Sequence, residues 1–189
     1  MNVRRGNSGF SLVELIVYSA LFPVVLAAIY AVLTLCTRYY AALDNQATLG
    51  QQALTASARL AEDVSGTALA SVRVESDGIV FLSARGAGGQ VFYDSSGRLL
   101  WLKYVCYYRT GTVLYRKEQS ITATPDVPAL TPAVSAFAGN SSLPTTQVAR
   151  EVTALSISPG STVAFTVTTS NDLYGGCLVS VSDRVRLRQ

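Results

Sequence analysis

Residues 15–37, LIVYSALFPVVLAAIYAVLTLCT, carry no charged side chain. As an α-helix these 23 residues reach roughly 35 Å, enough to cross a hydrocarbon core of about 30 Å. Arg4 and Arg5 precede the run, so the positive-inside rule puts the N-terminus in the cytoplasm and the rest of the chain outside. A cleaved secretory signal peptide has a shorter apolar core, about 7–15 residues, ending in a small-x-small site. Here the core is too long, and Tyr30 and Tyr39 interrupt the small residues near its end. Pro23 removes one backbone hydrogen bond and is expected to kink or loosen the helix.

The whole chain follows this bias. Of 189 residues 49% are apolar and only 14% charged, against a usual charged share of about 25%, and the mean hydropathy is +0.31. Such a composition excludes an intrinsically disordered chain and argues against a wholly water-exposed one. There is no histidine, which removes Ser-His-Asp and Cys-His catalysis, the His-Glu-x-x-His metalloprotease helix and any imidazole-ligated metal. The net charge of +3 is uneven: without Arg4 and Arg5 in residues 1–9, 13 basic side chains face 12 acidic ones over the remaining 180 residues. The basic balance is therefore largely a property of the first nine residues and is poor evidence for a nucleic-acid partner.

Glu14 is out of place at the head of the apolar run. A carboxylate in lipid costs on the order of 2–3 kcal/mol or more, which makes an intramembrane acid a functional candidate. The plain alternative is an interfacial Glu in a first helical turn, complementing the helix dipole. Around it the chain reads Arg4-Arg5-Gly6-Asn7-Ser8-Gly9-Phe10-Ser11-Leu12-Val13-Glu14-Leu15. This stretch resembles the prepilin N-terminus of type IV pilins and type II secretion pseudopilins: a short basic leader, Gly, Phe, a small hydroxyl residue, two aliphatics, Glu, then an apolar helix. The resemblance implies cleavage between Gly9 and Phe10 by prepilin peptidase and N-methylation of Phe10. It also implies that Glu14, fifth in the mature chain, neutralises the amino terminus of a neighbouring subunit. Physical chemistry agrees: Gly9 leaves the backbone open to a protease, and an amine and a carboxylate gain far more from pairing in low dielectric than in water.

Beyond Arg38 the helical pattern becomes amphipathic. Leu43, Ala47, Gly50, Leu54, Ala58 and Ala61 recur at steps of three and four, which predicts a narrow stripe facing a sheet. Val64-Ser65-Gly66 offers a stop, with Gly66 as a left-handed cap. Phe10 to about Val64 would run some 80 Å as one helix, membrane and filament core in its first half.

From Ser71 the period changes to two. Strands are expected at Val72–Glu75, Ile79–Leu82, Leu99–Tyr108, Thr112–Arg116, Val152–Ile157, Val163–Val167 and Cys177–Leu187, with turns at Asp77-Gly78, Asp94–Gly97, Thr110-Gly111 and Pro159-Gly160. Residues 123–147 hold four of the six prolines and read as a long irregular loop. The expected fold class is α+β: a long N-terminal helix, membrane-spanning in its first half, packed on one antiparallel sheet of about six or seven strands. The organisation is a leader at 1–9, an apolar transmembrane and filament-core helix at 10–37, an amphipathic helical half at 38–66 and a β-rich domain at 67–189. The strand ending Trp101-Leu102-Lys103-Tyr104-Val105-Cys106-Tyr107-Tyr108, then Leu114-Tyr115-Arg116 and Val185-Arg186-Leu187-Arg188, is similar to the J-type pseudopilin and W-type minor pilin group.

Other candidates have plainer readings beside them. For Cys106 and Cys177 a disulfide in an oxidising compartment and two buried free thiols fit equally well; Cys36 reads as unpaired. Arg184, Arg186 and Arg188 share one strand face, which reads as a solvated or charge-guarded edge before it reads as a DNA contact. Asp94 and Asn171-Asp172 suit turns better than a calcium site. Tyr104, Tyr107, Tyr108 and Tyr115 read as packing. The resemblance thus implies a non-enzymatic minor pilin or pseudopilin in the inner membrane, with its globular domain outside, later part of a pilus or pseudopilus. Its partners would be prepilin peptidase and other pilins, with no cofactor, metal or small-molecule substrate. The alternative is a tip adhesion or DNA-binding module using loop 123–147 or the arginine stripe.

Overall fold

The structure, a computed structural model, describes residues 11–86, 88–128, 130–158, 160, 162–171 and 177–187. Helix α1 runs Leu12–Val64 without interruption at Pro23. The chain divides into two compact units, Met1–Leu43 and Asp44–Gln189.

In the first unit the helix is long and apolar enough to cross a membrane, and none of its most apolar window is buried. Leu15, Leu21, Phe22, Val24, Ile29 and Leu33 are all exposed. Three of its hydroxyls are satisfied by the preceding turn: Ser19 Oγ donates to the Ile16 carbonyl at 2.9 Å, Thr34 Oγ1 to the Tyr30 carbonyl at 2.8 Å and Thr37 Oγ1 to the Thr34 carbonyl at 3.0 Å. Such back-bonding satisfies these three hydroxyls within the helix itself.

In the second unit the continuation of α1 packs on antiparallel sheet, the α+β arrangement expected from the sequence. The stripe that does so is not the expected one. Leu49, Ala53, Ala56, Ser57, Leu60 and Val64 are buried, whereas Ala47, Leu54 and Ala58 are exposed. Both sets have helical spacing; the face containing Leu49, Leu60 and Val64 buries more apolar surface per turn than the alanine-rich one, so it takes the core. The helix stops at Val64 as expected, but Gly66 has no left-handed φ. Instead Thr67 N–H returns to the Val64 carbonyl at 3.0 Å, and the buried Thr67 hydroxyl donates to the Leu82 carbonyl at 3.0 Å.

The strands form two sheets rather than one. β1 (Arg73–Glu75), β2 (Gly78–Ser83), β3 (Trp101–Thr110), β4 (Val113–Thr124) and β5 (Thr145–Ala149) make a five-stranded meander; β6 (Val152–Ser158), β7 (Thr162–Asn171) and β8 (Cys177–Arg186) make a second sheet. The break falls at Arg150-Glu151, where Glu151 takes φ 55°, and Val152 N–H then bonds the Thr112 carbonyl at 2.8 Å. No Gly or Pro marks this corner, so pattern reading placed all the strands in one sheet.

β2 and β3 are buried on both faces. On one side Ile79, Phe81, Val105 and Tyr107 join Ala56, Leu60 and Val64 of the helix and Val163, Phe165 and Val167 of β7. On the other, Val80, Leu82, Trp101, Tyr104, Cys106 and Tyr108 lie under Val134 and Phe137 of the short helix α2 (Val134–Ala138). Residues 123–147 are therefore not irregular throughout: they include the end of β4, α2 and the start of β5, and cover this second core. Gly78 opens β2 rather than serving as a left-handed turn residue, because a Cβ there would collide with the Tyr107 backbone carbonyl.

Candidate functional site

Gly9 and Phe10 lie outside the described residues. Immediately after them, Ser11 precedes the first helical turn. Glu14 Oε2 accepts the Ser11 backbone N–H at 3.4 Å, and Leu15 N–H bonds the Ser11 carbonyl at 3.2 Å. Ser-x-x-Glu is the sequence of a capping box, and this is its carboxylate half. The bond is long and leaves most of the carboxylate's acceptor capacity unused. Its neighbours Leu12, Val13 and Leu15 are 74%, 67% and 65% exposed. Among the described residues Glu14 has no cationic partner, so it is an acid on an apolar helix able to take an ammonium.

Cys106 is a free thiol and fully buried. It lies under α2, on the face of β3 opposite the one packed against β7. Burial pushes its thiol up to about 12, with Glu75 adding to the rise and Lys117 opposing it, so it is not a nucleophile at neutral pH. The side chain of Cys177 lies outside the described residues. Cys36 is free and exposed on α1.

The remaining sequence candidates resolve by their contacts. Asp94 closes a turn: Oδ1 accepts the N–H groups of Ser96 and Arg98, both at 2.8 Å, and Oδ2 accepts Arg98 Nε at 3.0 Å. Hydrogen bonding to the Arg98 backbone, against the opposing effect of desolvation, holds this carboxyl below its usual range. Among the described residues no three His, Cys, Asp or Glu side chains gather as metal ligands. Asn171 ends β7, and Asp172 lies outside the described residues. Arg184 and Arg186 are exposed on β8 beside Ser180 and Ser182; Arg188 also lies outside. Tyr104 and Tyr107 are buried in opposite cores, and Tyr108 stacks on Tyr115 at 5.6 Å between ring centroids.

The sequence reading missed a charged cleft in the second unit. The cleft, about 890 Å³, lies between the α1 residues Thr55–Asp63, the chain after β2, Lys103 near the start of β3, and Arg116 and Glu118 in the first half of β4. On its floor Asp63 Oδ2 accepts Tyr107 Oη–H and Arg116 Nε–H, each at 2.6 Å. Arg116 Nη1 also meets Glu118 Oε1 at 2.5 Å, and Lys103 Nζ meets the same oxygen at 2.9 Å. Burial and then the Asp63 charge raise the Tyr107 phenol above its usual range. For Arg116 burial acts downward, but the hydrogen bond and charge of Asp63 outweigh it and hold the guanidinium above its usual value. For Glu118 burial acts upward, and Lys103 and Arg116 together bring the carboxyl below its usual value. The chain of charges ties the end of α1 to β3 and β4. The available signal was Arg116-Lys117-Glu118, three charges within a strand whose start is buried, paired with an Asp at the last turn of a helix.

Lys117 points the other way. It is 4% exposed, and Nζ donates to the carbonyls of Phe137, Ala138 and Asn140 at 2.9, 3.3 and 2.8 Å, over the ring of Tyr108. It closes the C-terminus of α2 and pins the cover over the second core.

Comparison of the chain with protein-family models, with curated proteins and with solved structures finds no match.

Proposed function

We propose that the chain is a non-enzymatic structural subunit of the minor pilin or pseudopilin kind, processed between Gly9 and Phe10 by a prepilin peptidase, methylated at Phe10 and assembled through its apolar helix with other pilin-like subunits. The carrying observation is one coincidence: Arg4-Arg5, Gly9-Phe10-Ser11 and Glu14 stand, at the prepilin spacing, directly before a helix long and apolar enough to cross a membrane. The α+β organisation supports the same reading, since a membrane-compatible helix continues into a helix half packed on antiparallel sheet. On this reading the subunit sits in the inner membrane with residues 67–189 outside, then joins a pilus or secretion filament at or near its tip. Arg184 and Arg186 lie on a Ser-rich face of β8, which fits a solvated strand and gives no support to DNA binding.

Glu14 supplies the test. Glu14→Leu leaves membrane insertion intact, because the uncharged run only lengthens. It removes the carboxylate that would pair with a neighbour's α-amino group away from water. Breaking such a pair costs roughly 3–5 kcal/mol, mostly from the charge left behind, which corresponds to a hundredfold or more in association. Sheared-filament fractions should be depleted of the processed variant or reduced in filament number. Wild-type levels of both would remove the pairing role.

A further inference from the structure

The lining of the charged cleft carries four cations, Arg59, Arg85, Lys103 and Arg116, against three carboxylates, Glu62, Asp63 and Glu118. Its floor is paired internally: Asp63 and Glu118 hold Arg116, and Glu118 holds Lys103. Its wall is not. Arg59 on α1 and Arg85 after β2 both line the cleft, and neither has a carboxylate partner among the described residues. Arg85 is nevertheless held in place by neutral acceptors, Nη1 to the Gly89 carbonyl at 3.2 Å and Nη2 to Ser65 Oγ at 3.1 Å. Its Nε is buried and has no acceptor. A guanidinium fixed by neutral groups keeps its full charge and has unused donors, and it loses little entropy on meeting an anion. Gly86, Gly88 and Gly89 line the same space, and at Gly89 a Cβ would meet nothing within 4 Å, so a ligand can approach the backbone there. Phe92 lies against Gly86, where a Cβ would come within 2.6 Å of the ring, and it is 44% exposed.

We propose that this cleft docks an acidic peptide segment of another protein chain, with a carboxylate taken by Arg59 and Arg85. A nucleic acid fits less well. Glu62, Asp63 and Glu118 line the same cleft, so a run of phosphates would meet three carboxylates, whereas a single carboxylate meets two unpaired guanidiniums. Glu62, which has no side-chain partner among the described residues, sits one turn from Arg59 and is free to accept an N–H from the segment. The inference depends on the cleft alone and stands whether or not the chain is a filament subunit.

The test uses the full chain in detergent micelles and fluorescence anisotropy of a labelled, end-capped alanine hexapeptide with one central glutamate. Two competitor probes are the same peptide with glutamine for glutamate and an oligothymidine of equal length. The glutamate peptide should bind saturably and weaken with salt. Arg59→Gln or Arg85→Gln should each weaken it by about tenfold or more, the loss of one charge-assisted contact. Trp101 fluorescence, unchanged in both variants, checks that the fold is intact, and Arg59→Lys should recover part of the loss because charge remains without the bidentate fork. The proposal is overturned if the glutamate peptide does not bind at millimolar concentration or if the glutamine peptide binds equally. Unchanged affinity in both variants, or tighter binding of the oligothymidine that the same variants abolish, overturns it as well.

Discussion

Asp63→Ala should destabilise the globular unit by about 3–4 kcal/mol. A single oxygen of Asp63 accepts both the Tyr107 hydroxyl and Arg116 Nε at 2.6 Å, and the Arg116 and Asp63 side chains are only 10% and 16% exposed. Removing it strands a buried hydroxyl, at about 1–3 kcal/mol. It also takes one partner from a buried cation, for which the usual cost is about 3–5 kcal/mol. The second figure is reduced here because Glu118 stays on Arg116. Against a typical domain stability of about 5–15 kcal/mol the loss is large. Urea unfolding of the segment Asp44–Gln189, followed through Trp101, gives the measurement: it is the sole tryptophan and 3% exposed when folded. Tyr107→Phe alone should cost about 1 kcal/mol. In that background Asp63→Ala should cost at least about 1 kcal/mol less than in the native sequence, because the stranded hydroxyl is gone. A loss below about 1 kcal/mol for Asp63→Ala, or additive effects in the cycle, would refute the assignment of this network as the tie between α1 and the sheet.

Three other outcomes are expected. The segment Asp44–Gln189 should fold as a monomer with mixed helix and strand content, since it is a compact unit with both cores complete; circular dichroism of a purely helical or unfolded product would contradict this. Lys117→Met should cost about 2–4 kcal/mol and speed amide exchange through residues 134–143, because three carbonyls lose their buried donor; unchanged exchange there would show that Lys117 does not hold α2. Stability should fall on the alkaline side. The Cys106 thiol is raised to about 12 and the Tyr107 phenol is also raised, so both stay protonated in the folded state while the unfolded chain loses those protons from about pH 9 and 10 upward. The unfolded state then binds fewer protons, and stability drops by about 1.4 kcal/mol per pH unit for each group. Cys106→Ala should flatten the earlier part of that fall.

The membrane-compatible helix, the hairpins and the α+β class were legible because each rests on local sequence. An uncharged run, an Asx turn at Asp94 with Gly97 at φ 76°, and Gly111 at φ 59° need no knowledge of distant residues. What could not be read depends on partners far along the chain. The buried face of α1 from Asp44 onward was misassigned because two stripes had helical spacing, and only the contacts with Phe81, Tyr107 and Phe165 choose between them. The division into two sheets turns on one left-handed Glu151, a residue that carries no turn signal. The cleft joins Asp63 to Arg116 across 53 positions, and Lys117 reaches carbonyls 20 to 23 residues away. Pattern and spacing do not reach such pairs; they appear once the sheet register sets which side of β4 each charge occupies.

The central claim concerns the N-terminus, and N-terminal peptide mass spectrometry of the full chain recovered from membranes of cells with a prepilin peptidase tests it most directly. The account predicts a mature chain beginning at N-methylated Phe10, and failure of that cleavage when Gly9 is replaced by Val. A chain that retains Met1 or the Arg4-Arg5 leader in the presence of active peptidase, or that is cut elsewhere, contradicts it.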